Sequence, residues 1–128
     1  MTLNRIVARF SDGRTLKGET RDFSRNNPRF HVTTPDGNQE RVNTGDLKAI
    51  FFVRDLDGDK NRKDDYTEQV NGVGRKMRVI FSDGEIITGY AAGYSKNRTG
   101  FYLVPANTNI NNERIFVLNK HCREASFI

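Results

Sequence analysis

The 128-residue chain contains one cysteine, no tryptophan, three prolines and two histidines. A single thiol, Cys122, cannot close a disulfide within the chain. With His31 and His121 it also falls short of the four ligands of a structural zinc site, so no metal is expected. Neither histidine has a nucleophile and an orienting acid spaced around it, which leaves no catalytic residues to name and predicts a protein that is not an enzyme. No stretch approaches the roughly 20 apolar residues of a membrane-spanning helix. The first residues, Met1 to Arg5, lack the apolar segment of a secretion signal. The expectation is a cytoplasmic protein with no membrane insertion and no cofactor.

Acidic charge is also in short supply, with 16 Asp and Glu against 21 Lys and Arg, a net +5. Residues 1–53 carry nine basic and six acidic side chains, residues 54–74 four and six, and residues 75–128 eight and four. Two basic halves therefore flank an acidic join, a balance that permits an anionic partner.

What the chain does have is a fixed internal separation of 71. Phe10, Ser11, Asp12, Gly13, Gly18, Ser24, Asn26 and Phe30 recur as Phe81, Ser82, Asp83, Gly84, Gly89, Ser95, Asn97 and Phe101, which is 8 of the 31 pairs from Arg5/Lys76 to Pro35/Ala106. This predicts one small unit written twice. Ile6, Ala8 and Phe10, like Met77, Val79 and Phe81, alternate with other residues at the period of a half-buried strand. Each run ends in Ser-Asp-Gly, a hairpin signal. Second strands are expected over 14–21 and 85–92, interrupted at Gly18 and Gly89. Further strands are expected over 30–34, 40–43 and 48–53, answered by 100–104, 114–118 and 123–128. Helical periodicity is absent. The fold class predicted is all-β: two tandem five-stranded antiparallel barrels related by duplication, closed so as to remove exposed sheet edges. The first barrel is expected over 1–54 and the second over 75–128, with an acidic flexible linker over 55–74. Within the linker Asp57, Asp59, Asn61, Asp65 and Glu68 have calcium-loop spacing, but Arg62 stands where such a loop needs glycine, so no calcium site is expected.

The loops after each second strand hold the candidate ligands. Arg21, Asp22, Ser24, Arg25, Asn26 and Arg29 in the first, and Lys96, Asn97 and Arg98 in the second, supply cations, amides and a hydroxyl suited to phosphate oxygens or base edges. Ser24 and Ser95 also have a structural reading, as side chains that shape the loop by bonding its backbone. The run from Gly18 to Phe30 resembles the Asp-x-Ser-x-x-Gly region of PilZ domains at Asp22 and Ser24, with Asn27 at the glycine place. Arg5 and Arg9 have the spacing of the Arg-x-x-x-Arg that such domains use for cyclic di-GMP. Val7, Phe10, Asp12 and Gly13 resemble the first hairpin of Sm-type RNA-binding barrels. Leu47 to Asp55 resembles a bacterial accessory module found with signalling proteins. These resemblances imply a PilZ-like or Sm-like barrel acting as a bacterial regulatory adaptor that binds a partner protein and is modulated by a nucleotide, or alternatively an RNA-binding barrel. The implied partners are a protein, a cyclic dinucleotide or RNA. RNA binding would need exposed stacking rings, for which Tyr90, Tyr94 and Tyr102 are the candidates.

Overall fold

The computed structural model describes residues 3–54, 56, 74–91, 93–95, 97–106 and 112–128. Most of the join expected over 55–74, with its calcium-spaced residues, and Lys96 lie outside the described residues. The described residues are all-β, in ten strands: β1 Asn4–Phe10, β2 Thr15–Thr20, β3 Arg29–Thr33, β4 Gln39–Asn43, β5 Leu47–Val53, β6 Arg75–Phe81, β7 Ile86–Ala91, β8 Gly100–Pro105, β9 Asn112–Leu118 and β10 Cys122–Phe127. Every pairing is antiparallel. Short 3-10 turns, Thr44–Asp46 and Asn119–His121, lead into β5 and β10. No described helix is long and apolar enough to cross a membrane.

Local chemistry accounts for the hairpins. The Phe10 N–H donates to the Arg14 carbonyl and the Phe81 N–H to the Glu85 carbonyl, both at 2.9 Å. The turns are completed by Gly13 at φ +96° and Gly84 at φ +93°, a region costly for residues with a Cβ. Ile6 pairs with Gly18, and Met77 with Gly89. A Cβ on either glycine would run into the carbonyl of the next strand, Thr33 for Gly18 and Val104 for Gly89, so each glycine lets the sheet bend closely over itself. The shared turn does not extend to burial, because Phe81 is fully buried under Lys48 while Phe10 is half-buried under Arg14.

The expectation of two closed barrels is corrected. The strands form one open sheet in the order β10-β6-β7-β8-β9-β5-β1-β2-β3-β4. Closing the first half would require β4 to pair with β5, but the 3-10 turn between them is followed by a β5 whose two edges are taken by β1 and β9. Apolar complementarity explains the choice of β9: Ala49, Ile50 and Phe51 of β5 stand opposite Val117, Phe116 and Ile115. Both faces of β5 are covered, and all seven of its residues are buried. Ala49, Phe51 and Val53 enter one apolar cluster with Met77, Val79, Phe81 and Phe101; Leu47, Ile50 and Phe52 enter the other with Ile6, Phe30 and Val42. From β9, Ile115 and Val117 join the first cluster and Phe116 and Leu118 the second. Each fully buried Phe or Ile contributes about 1.5–3 kcal/mol relative to exposure, so this seam is a principal source of stability.

Candidate anion-binding site

The loops after β2 and β7 are built alike. Each folds into a tight turn in which the Asn27 N–H donates to the Ser24 carbonyl at 3.1 Å and the Arg98 N–H to the Ser95 carbonyl at 3.2 Å. The serine hydroxyls accept from the N–H groups of Asn26 and Asn97 at 3.3 and 3.4 Å. Both serines therefore shape their loops, as their chemistry suggests. Asn119 fastens the second loop by donating from Nδ2 to the carbonyls of Ser95 and Arg98, each at 2.9 Å.

The β5–β9 seam brings these two loops together. Arg25 reaches across it to donate to the Gly100 carbonyl at 3.0 Å, with its guanidinium 5.9 Å from the ring centres of both Tyr102 and Phe116. Arg25, Asn26, Asn97, Arg98, Thr99 and Gly100 then line one open concavity of about 460 Å³. Two arginines, two asparagines and a threonine thus line it, with no carboxylate among the described lining residues. Arg98, Asn97 and Asn26 are exposed, free to turn toward a ligand.

Of the remaining sequence candidates, Arg21 and Asp22 line a different concavity of about 400 Å³ with Glu19 and His31. There Asp22 accepts from the His31 N–H at 2.9 Å and from the Thr20 hydroxyl at 3.2 Å, and lies 2.7 Å from His31 Nδ1. Partial burial raises its pKa, but the bonds from His31 and Thr20 outweigh this and hold it below the usual carboxylate value. Arg29 begins β3, exposed, opposite Asn43. The expected rings are half-buried: Tyr94 packs edge-on against Phe101 and Phe127, and Tyr102 edge-on against Phe116.

Sequence reasoning missed an ion cluster across the halves. Lys48 Nζ lies 2.6 Å from Asp83 Oδ2 and 2.8 Å from Glu85 Oε1, while Arg9 lies 2.9 Å from Glu85 Oε2 and stacks 4.5 Å from the centre of Phe51. Burial lowers the Lys48 pKa, but the two carboxylates outweigh it and hold the pKa above its ordinary value. The partners are 35 and 37 residues away from Lys48 in the chain, and no local pattern marks them. Among the described residues no group of three His, Cys, Asp or Glu is placed to hold a metal ion.

The residues behind the PilZ-like resemblance are occupied within the fold. Asp22 holds His31, Ser24 shapes its turn, Arg5 donates to the Arg54 carbonyl at 2.9 Å and Arg9 pairs with Glu85. Comparison with known families overturns the PilZ-like and Sm-like assignment, since neither family is found and the match is to a different one. No curated protein and no solved structure matches the chain. The match runs from residue 2 to residue 128 and bears the description "Family of unknown function (DUF6982)", and the chain belongs to that family.

Proposed function

We propose that the protein is a non-enzymatic regulatory binding module whose converging loops take a phosphate-bearing ligand. The observation that carries this reading is the joint lining of one concavity by Arg25, Asn26, Asn97 and Arg98, with no carboxylate among its described lining residues, in a chain of net charge +5. Guanidinium groups hold phosphate oxygens by charge-assisted pairs, and the amides supply further donors. Half-buried tyrosines held edge-on favour a ligand held by its phosphates over one read by base stacking. We read the two halves as copies of one unit. That reading draws support from hairpins, bend glycines and serine turns that recur 71 residues apart.

The ligand chemistry could come from a small nucleotide or from an RNA backbone, and titration separates them. The unaltered chain is titrated with a cyclic dinucleotide by calorimetry and with labelled single-stranded RNA by fluorescence anisotropy, at low and high salt. Binding of at least one is expected, weakening steeply with salt for RNA. Each charge-assisted contact contributes about 1.5–3 kcal/mol, so Arg98→Ala should weaken binding about tenfold or more, while Arg29→Ala leaves it unchanged. Absence of binding to either probe at low salt, or an undiminished affinity in Arg98→Ala, contradicts the assignment.

A further inference from the structure

Both outer edges of the ten-stranded sheet lack a strand partner among the described residues: β4 has only β3 beside it, and β10 only β6. The two edges are related. Each half runs in the same lateral order, with its last strand first and its fourth strand at the far side: β5-β1-β2-β3-β4 and β10-β6-β7-β8-β9. The seam within the molecule sets β5, the last strand of the first half, against β9, the fourth strand of the second. The free edges are the other two strands of those types, the last strand of the second half and the fourth of the first.

The registers make the correspondence residue by residue. Ile6 faces Phe52 across β1 and β5, and Met77 faces Phe127 across β6 and β10. Both ladders slip by one residue at the same place, beside Lys48 in one and Arg123 in the other. Phe30 faces Val42, and Phe101 faces Val117. The exposed side chains fit the same picture. Phe52, covered by the seam, is 3% exposed, whereas Phe127 in the matching place is 39% exposed, with Ile128 beside it at 61%. Apolar side chains at the end of an unpaired edge strand invite another strand.

We propose that a second copy of this chain covers these edges, with β10 of one molecule pairing antiparallel to β4 of the next in the register of the internal seam. Carrying over Ile50–Phe116 and Phe51–Ile115 sets Ala125 opposite Arg41 and Ser126 opposite Glu40 of the neighbour. The contact joins two different edges, so it runs head to tail, and copies close into a ring or extend as a filament. Polar residues replace the apolar ones of the internal seam, which makes the joint between molecules weaker and reversible. It stands independently of the ligand reading, since neither edge lines the loop concavity.

Charge exchange at the Ser126–Glu40 pair tests it. In Ser126→Glu the new carboxylate lies beside Arg78 of its own sheet, which the fold tolerates, but it opposes Glu40 of the neighbour. The double variant Glu40→Lys with Ser126→Lys opposes lysine to lysine. Circular dichroism checks that both stay folded, and sedimentation velocity reads association over the accessible concentration range. The unaltered chain is expected to associate, as a closed ring of two or more copies or as a filament. Each variant alone should associate several-fold more weakly, and an equimolar mixture should recover, because glutamate then meets lysine at every joint. A chain that stays monomeric at every concentration its solubility allows, or variants whose mixture fails to recover, would overturn the proposal.

Discussion

Lys48 carries its charge into an otherwise apolar strand, with 9% of its side chain exposed. It is tolerable there because Asp83 and Glu85 from the other half meet it and the ring of Phe81 lies 4.9 Å below. Removing one partner of a buried ion pair costs about 3–5 kcal/mol. Here the carboxylates keep 50% and 35% of their exposure, so solvent screening reduces the expected loss for Lys48→Met to about 1–2 kcal/mol at pH 7. The Lys48 bond is the largest cause holding the Asp83 pKa below its ordinary 3.8. A carboxylate with a lowered pKa adds stability above its unfolded value and loses it as pH falls through the folded one. Urea midpoints should therefore separate the two proteins at pH 7 and converge toward pH 3, and an equal gap at both pH values would count against the ion cluster. The sequence disclosed residues whose chemistry is local, such as Ser24 and Ser95 bonding the N–H two positions on. It was silent on Lys48 and Asp83, and on Asp22 and His31, because those pairs meet only when strands distant in the chain have found their register.

All ten strands lie where alternation and turn residues placed them, to within a residue or two at most ends. Period and turn chemistry are properties of a short window, so the elements were legible; the neighbour of β5 was not, and with it went the expectation of closure. The seven buried residues of β5 are the one trace in the sequence: a run apolar on both faces signals a strand covered on both sides without saying by what. Gly18 and Gly89 were legible as interruptions, and the structure supplies the reason in the carbonyls of Thr33 and Val104. Alanine at either position must push the neighbouring strand aside, an overpacking that costs about 1–3 kcal/mol. Gly45 is the control, since a Cβ there meets only Lys120 Nζ at 3.9 Å, and Gly45→Ala should change stability by less than about 1 kcal/mol. Chemical denaturation of the three variants decides it: if Gly18→Ala and Gly89→Ala unfold at the midpoint of Gly45→Ala, the close approach is not what these glycines serve.

Across the whole molecule, β5 and β9 each send side chains into both apolar clusters. Neither cluster is complete without a strand from the other half, so the halves are expected to unfold together, in one calorimetric transition whose van't Hoff and calorimetric enthalpies agree. A fragment ending at Arg54 sharpens the point. It keeps β1 to β5, but it loses Phe116 and Leu118 from the second cluster and bares Ala49, Phe51 and Val53, which in the intact chain belong to the first. Its β5 then presents an unpaired apolar edge, the kind that recruits other strands. A unit of roughly 54 residues has little core to offset such losses. The fragment should therefore be destabilised by several kcal/mol or aggregate, whereas a fragment that remains monomeric and unfolds at the midpoint of the intact chain would mean that the seam joins two self-sufficient units.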